Sequence, residues 1–256
     1  MIASLSMYDW PAQSAHWDAL WGEIRDCLRD LGLVAPDGLT RGGRLWDHWE
    51  SPDLILGQTC GMPFRTRLYG NVTLIGALDH ALPEAPAGFY YSNLVVHRDS
   101  TATSLEHLVD GTLAYNGLDS ESGWAAAQNT AADHGFQFSR KLHTGSHRNS
   151  ALAVANGRAD IAAIDAETWR LITQFMPETT ANLRVLSHSE PTPGLPLITS
   201  LGTDAERISQ AIDTALTRID PAVTEALHIR GFERILADDY LAVRTPPMPS
   251  QDAPAA

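Results

Sequence analysis

Several absences narrow what this chain can be. Lys and Arg together number only 18 against 31 Asp and Glu, and the formal net charge is −13. No basic block occurs, so non-specific nucleic-acid binding and attraction to anionic membranes are excluded as organising principles. There are only two cysteines, Cys27 and Cys60, and no C-x-x-C pair. A disulfide framework or a thiol-rich zinc site is therefore not indicated. Cys27 falls on an expected helix and reads as a buried free thiol, with a single Cys27–Cys60 bridge left open. No apolar run is long enough to span a bilayer. The N-terminus, Met1 to Met7, lacks the basic region, long apolar core and small-residue cleavage site of an export signal. As written, the chain is expected to be cytoplasmic, and periplasmic if a signal has been removed.

Catalytic signatures are missing as well. There is no Gly-x-Ser-x-Gly elbow, so a Ser-His-Asp hydrolase is not expected and no catalytic residue is assigned. Of the ten histidines, His143 and His147 stand four apart, but Gly145 between them puts the pair on a turn. No carboxylate or third His completes a ligand spacing, so neither a metal site nor a cofactor is expected.

What is present is a globular composition. Hydrophobic residues make up 44% of 256, enough for one large domain or two lobes of ordinary size. From Pro11 to Leu31, Trp17, Leu20, Trp21, Ile24, Leu28 and Leu31 recur at three- and four-residue intervals, the apolar stripe of an amphipathic helix. A second helix is expected over Asp204–Arg218, with Ile208, Ile212, Ala215 and Leu216 on one face. Short apolar runs read as strands: Ile2–Met7, Asp53–Gly57, Asn71–Leu78, Phe89–His97, Thr112–Asn116, Phe136–Leu142, Asp160–Ile164, Leu183–Leu186 and Leu197–Ser200. Helices are expected between many of them, including Glu121–His134, and a last one over Pro221–Leu227, followed by a terminal element over Gly231–Tyr240. Strands alternating with helices predict an α/β architecture with mainly parallel sheets.

In such sheets ligands bind beyond the carboxyl ends of the strands, so the polar turns there are the places to look. The turn Asn116-Gly117-Leu118-Asp119-Ser120-Glu121-Ser122-Gly123 joins a strand to a helix and carries capping residue types. The unpaired first-turn N–H groups of that helix suit an anion or another polar oxygen. Asn116, Ser120, Ser122 and Gly123 are candidate ligand contacts. Thr144, Gly145, Ser146 and His147 form a second such turn. Each set reads equally well as plain helix capping. Tyr8 and Trp10 follow the first strand and can wall a small ligand, core packing being the rival for Trp10. Gln58 and Thr59 offer donor and acceptor atoms after the second strand. Asp165 can accept from a ligand amine or cap a helix, and Glu190 can pair with a cation. Glu121, beside the main turn, leaves a neutral or cationic ligand open.

Four stretches carry a resemblance. Ser-Met-Tyr-Asp-Trp-Pro, Pro-Asp-Leu-Ile-Leu-Gly-Gln-Thr-Cys-Gly, Asn-Gly-Leu-Asp-Ser-Glu-Ser-Gly-Trp and Gly-Arg-Ala-Asp-Ile-Ala-Ala-Ile-Asp resemble phosphate/phosphonate-type ABC-transporter solute-binding proteins. The resemblance covers about residues 1 to 240. It implies a two-lobed type II periplasmic-binding-protein fold with a ligand cleft and two hinge crossings. One lobe is expected at 1–88 plus 191–245, the other at 89–190, with a disordered tail over 246–256. It also implies a small-molecule ligand, an ABC permease as partner, and no chemistry. The alternative is a cytosolic enzyme or metabolite sensor on the same fold, for example in cofactor biosynthesis, motivated by the missing export signal.

Overall fold

The computed structural model describes residues 1–248. The chain divides into two compact units. Unit 1 comprises Met1–Phe89 and Pro193–Ala242; unit 2 comprises Tyr90–Thr192 and, among the described residues, 243–248. Residues 243–245 therefore go with unit 2. The expected tail lies, from residue 249 on, outside the described residues.

The sheet of unit 1 is built from β1 (Ile2–Ser4), β2 (Leu54–Gln58), β3 (Val72–Asp79), β11 (Pro196–Ser200) and β12 (Gly231–Glu233), in the order β1-β2-β11-β3-β12. Unit 2 holds β5 (Ser92–His97), β6 (Thr112–Tyr115), β7 (Arg140–His143), β8 (Ile161–Asp165) and β9 (Leu183–His188), in the order β7-β6-β8-β5-β9. Where the chain changes units, β4 (Phe89–Tyr90) and β10 (Thr192–Pro193) form a two-stranded ribbon.

Both five-stranded sheets follow one rule. β1 runs parallel to β2, and β6 runs parallel to both β7 and β8. β11 is antiparallel to both β2 and β3, and β5 is antiparallel to both β8 and β9. Each sheet is thus a set of parallel strands with one reversed strand inserted, and β12 adds a second reversed strand at the edge of unit 1. The parallel strands are joined by helical crossovers, which impose that direction. β5 and β11 are the first sheet strands after a change of unit. No crossover helix precedes them, so nothing forces them parallel, and the expectation of mainly parallel pairing fails at β5 and β11 and again at the edge strand β12.

Unit 1 owes its core to the stripes seen in the sequence. The Ser14–Asp30 helix buries Trp17, Leu20, Trp21, Ile24, Cys27 and Leu28 and packs on the Ala205–Arg218 helix, which buries Ile208, Ala211, Ile212 and Ala215. Burying side chains of this size stabilises by roughly 1.5–3 kcal/mol each. A second cluster gathers Trp49, Leu54, Phe64, Leu68, Val72, Ile198 and Tyr240. Tyr240 belongs to the Ala237–Leu241 helix, so Pro221–Ala226 is not the last helix. Its hydroxyl donates to the Gly194 carbonyl at 2.9 Å. Both cysteines are free and buried.

Two other expectations shift. The strand foreseen over Phe136–Leu142 begins only at Arg140. Phe138 is held instead by the Gln128 side chain, which accepts its N–H at 3.1 Å and donates to its carbonyl at 3.2 Å, so its backbone is satisfied outside the sheet. The helix foreseen over Glu121–His134 opens with a π-helical turn, Glu121–Ala125, and continues as the α-helix Ala126–Asp133. A matching π turn, Phe64–Leu68, follows β2 in unit 1.

Candidate functional site

In unit 2 the turn after β6 is organised by Ser120. Its hydroxyl accepts the Gly123 N–H at 3.0 Å and caps the π turn. The Gly123 N–H is thereby engaged within the turn. The N–H of Ser122 lies in the first turn of the helical run that Ser120 caps. Ser122 places its Oγ 2.7 Å from His147 Nε2. Glu121, Ser122 and Gly123 are all buried.

Gly123 is required by close approach. A Cβ there would lie 1.9 Å from Asn116 Oδ1 and 3.1 Å from His147 Cε1. Asn116, Gly123, Ser122 and His147 therefore meet at one place, although 31 residues of sequence separate Asn116 from His147. Asn116 Oδ1 is enclosed there without a hydrogen-bond partner in the protein. Desolvation pushes the His147 imidazole down to about 4, against a weaker opposing pull from the Ala163 backbone. The ring is therefore neutral at physiological pH.

The second turn, after β7, is mostly scaffold. Ser146 Oγ accepts the Asn149 N–H at 3.1 Å and caps the His147–Ala155 helix. Gly145 takes a φ of 81°, which suits glycine at this bend. The Thr144 hydroxyl donates to the Tyr115 carbonyl at 2.9 Å and lies 2.6 Å from Ser150 Oγ. Asp165, at the end of β8, accepts the Thr168 N–H at 2.8 Å and caps the Ala166–Phe175 helix. Of these residues, His147 is the one brought to Ser122. Glu190 is exposed, and its carbonyl accepts from Ser189 Oγ at 3.2 Å.

Two residues that sequence reasoning passed over support the turn. Ser92 Oγ donates to the Ser122 carbonyl at 3.0 Å, and the Ser92 N–H donates to Ser189 Oγ at 2.9 Å. Ser92 is 2% exposed. The available signal was polar Ser92-Asn93 inside an otherwise apolar strand, since buried polar groups in a core need a partner.

Unit 1 carries its own polar strand ends. Tyr8 is buried, its ring edge-on to His80 with centroids 5.2 Å apart. The Trp17 indole N–H donates to the Tyr8 carbonyl at 3.2 Å, and Trp10 is half-buried. Gln58 ends β2 and Thr59 follows it; both are buried. Their backbone is pinned by the Trp49 indole on the Gln58 carbonyl at 2.9 Å and by the Thr59 N–H on the Pro196 carbonyl at 2.9 Å. Among the described residues, no group of His, Cys, Asp and Glu side chains is arranged to hold a metal ion.

The comparisons with known proteins converge. Residues 76–240 match the model of the family described as "ABC transporter, phosphonate, periplasmic substrate-binding protein". A phosphonates-binding periplasmic protein of Escherichia coli is 30% identical over 149 residues, a match spanning 51% of this chain and 43% of that protein, less than half of its length. Among solved structures, a binding protein of a phosphonate ABC transporter from Pseudomonas aeruginosa aligns with TM-score 0.67 at 19% identity, over 91% of this chain and 80% of that one. A Prochlorococcus marinus protein in complex with methylphosphonate aligns with TM-score 0.66 at 15% identity, over 89% of this chain and 90% of that one. An ATP-bound protein from Xanthomonas citri gives TM-score 0.67 at 17% identity, over 88% and 90% of the two chains. At these identities the structural likeness establishes the fold, that of type II periplasmic binding proteins.

Proposed function

This chain belongs to the family of phosphonate-binding periplasmic substrate-binding proteins of ABC transporters, and on that footing we propose that it binds a small phosphonate- or phosphate-like anion without chemistry. In this reading it delivers the ligand to an ABC permease and works in the periplasm. Among the described residues no helix is long and apolar enough to cross a membrane.

The observation that carries the reading is the Ser120-capped turn, with Ser122 Oγ 2.7 Å from His147 Nε2 at the head of a helical run. A tetrahedral anion needs several donors aimed at one point. Helix-head N–H groups and a hydroxyl supply them without burying a cation. With a net charge of −13, attraction of an anion must be local. The side chains of Ser122, His147 and Asn116 and the Ser122 N–H are the anion contacts in this reading. Thr144, Ser146 and Asp165 serve mainly to shape the backbone. A reading without chemistry is supported by His147, which burial holds down to about 4 and so leaves a weak base near neutral pH.

Isothermal titration of ligand-stripped protein tests this. Methylphosphonate or inorganic phosphate should bind at micromolar or lower Kd, with methylammonium inert and the phosphonate recovered unchanged by phosphorus NMR. No binding by either anion, or conversion of the bound one, overturns the reading.

A further inference from the structure

One peptide of the turn after β6 is held at both edges. The Ser122 carbonyl accepts from Ser92 Oγ at 3.0 Å, and the Gly123 N–H donates to Ser120 Oγ at 3.0 Å. That peptide is planar, so with both edges bonded it cannot rotate without losing a partner. The restraint matters in a π turn, a wide winding that helices adopt only in short stretches. The Ser92 hydroxyl reaches the turn from 30 residues away in sequence. Its own backbone is fixed from two neighbouring strands. Towards β9, the Ser92 N–H donates to Ser189 Oγ and the Ser92 carbonyl accepts the Ser189 N–H, each at 2.9 Å. Towards β8, Ser92 pairs with Asp165. Ser92, Ser120 and Ser122 are all buried, so water competes little for these bonds.

We propose that Ser92 is a positioning residue for anion binding: from the sheet it locks the Ser122–Gly123 peptide, and so fixes the direction of the Ser122 hydroxyl, without touching the ligand. This deepens the reading above and rests on it. The plane of that peptide sets the backbone between the Ser122 and Gly123 Cα atoms. Ser122 Oγ stands 2.7 Å from His147 Nε2, and Gly123 lies so close to Asn116 that a Cβ would come within 1.9 Å of its Oδ1. A rotated peptide therefore displaces the hydroxyl and disturbs both neighbours at once. Groups that must converge on one anion lose affinity when they are misplaced by as little as about 1 Å, and a support rooted in a sheet prevents this better than one rooted in a loop. The plain alternative is a buried hydroxyl satisfied by whichever carbonyl is near. On that alternative, losing the hydroxyl costs stability and leaves the turn as it was. A lock instead changes the turn, and does so alike for every ligand that shares the anionic head.

The test compares wild type, Ser92→Ala and Ser92→Thr by isothermal titration with methylphosphonate and with inorganic phosphate, well below the Tm of each protein. Proton–nitrogen NMR spectra of the ligand-free proteins follow the Gly123 amide. Ser92→Ala should raise both Kd values by a similar factor of about fivefold or more, the affinity equivalent of one neutral hydrogen bond. Its Gly123 amide should move in the absence of ligand. Ser92→Thr returns the hydroxyl and should bring both Kd values to within about twofold of wild type, with the Gly123 amide back near its wild-type position. Should the added methyl prevent folding, Ser189→Ala takes its place: it loosens the backbone that carries the Ser92 hydroxyl, and should move the Gly123 amide in the same direction as Ser92→Ala but less far. A Ser92→Ala protein that melts earlier yet keeps both affinities overturns the proposal and makes Ser92 a structural residue. So does a folded Ser92→Thr that binds as weakly as Ser92→Ala, or a Ser189→Ala that leaves the amide unmoved. If wild type binds neither anion, the anion-binding reading falls and the role of Ser92 in affinity falls with it. The lock is read separately in the ligand-free spectra, where an unmoved Gly123 amide in Ser92→Ala overturns it.

Discussion

The two units solve the same local problem differently. Each has a strand that ends in polar residues and runs into a π-helical turn: β2 into Phe64–Leu68, β6 into Glu121–Ala125. In unit 2 the polar side chains around that turn are mostly engaged with backbone. Ser120, Ser146 and Asp165 each accept a first-turn N–H, and Thr144 bonds the Tyr115 carbonyl. In unit 1 the backbone is satisfied by other groups, Trp49 and Pro196, and the polar side chains Gln58 and Thr59 are left over. Polar residues at strand ends therefore carry two meanings. Where their atoms hold the backbone, they shape the turn; where the backbone is held by something else, their side chains stay buried and unengaged.

Substitutions can break this contrast, and the largest effect is expected at Gly123. Gly123→Ala puts a Cβ 1.9 Å from Asn116 Oδ1, so Asn116 must leave its place and the turn must deform. Phosphonate affinity should fall more than about 100-fold, and stability by about 1–3 kcal/mol, the usual cost of overpacking. Titration and urea unfolding read the two quantities. An unchanged affinity would mean that the turn does not hold the ligand.

Ser122→Ala is the next step down. It removes one hydroxyl near His147 and leaves the cap intact. Affinity should drop by roughly 1.5–3 kcal/mol, ten- to a hundredfold, as for a lost hydrogen bond to a charged group. Tm should move far less than affinity does; early melting with full affinity would turn Ser122 into a structural residue.

A paired experiment sharpens the contrast directly. Ser120→Ala in unit 2 removes a cap and should cost about 1 kcal/mol of stability. Thr59→Val in unit 1 removes a hydroxyl that bonds nothing in the protein, so stability should hold or rise slightly. If both lose stability equally, the distinction between backbone-holding and unengaged side chains is wrong.

The smallest effect is a pH dependence. His147 is depressed from 6.5 to about 4, so the unfolded chain takes up its proton at a pH where the folded chain refuses it. Stability should therefore fall as pH drops from 6.5 towards 4, with no further contribution from this residue below that window. His147→Gln lacks this titration. The difference in unfolding free energy between wild type and His147→Gln should shift against wild type across the window, and a difference independent of pH would remove the basis for a neutral His147.

Much of this was legible in local sequence. The Trp17–Leu28 stripe predicts the Ser14–Asp30 helix, and the capping roles of Ser120, Ser146 and Asp165 follow from residue type at a strand-to-helix turn. The direction of β5 and β11 was not legible, because it is fixed by partners far along the chain and not by periodicity. The π turn at Glu121–Ala125 escapes notice because one widened turn hardly alters a helical pattern. The Ser122–His147 contact joins residues 25 apart in sequence, and a sequence without a register cannot place them together. Phe136 to Leu142 alternates like a strand, yet Gln128 satisfies the Phe138 backbone first.

The insertion of β11 between β2 and β3 has a consequence for how the chain comes to be folded. While a ribosome has delivered only residues 1–89, β2 and β3 exist but lack the strand that separates and bonds them. All five strands of the other sheet, by contrast, come from one unbroken stretch. During synthesis the unit begun second can therefore complete its sheet first. The unit begun first must wait, with two open strand edges, for Pro196–Ser200 to emerge. The entropic cost of that long closure rises only logarithmically with the length in between, so the more vulnerable quantity is the waiting time: a nascent chain stalled before Pro196 exposes the edges of β2 and β3 to any other extended segment nearby.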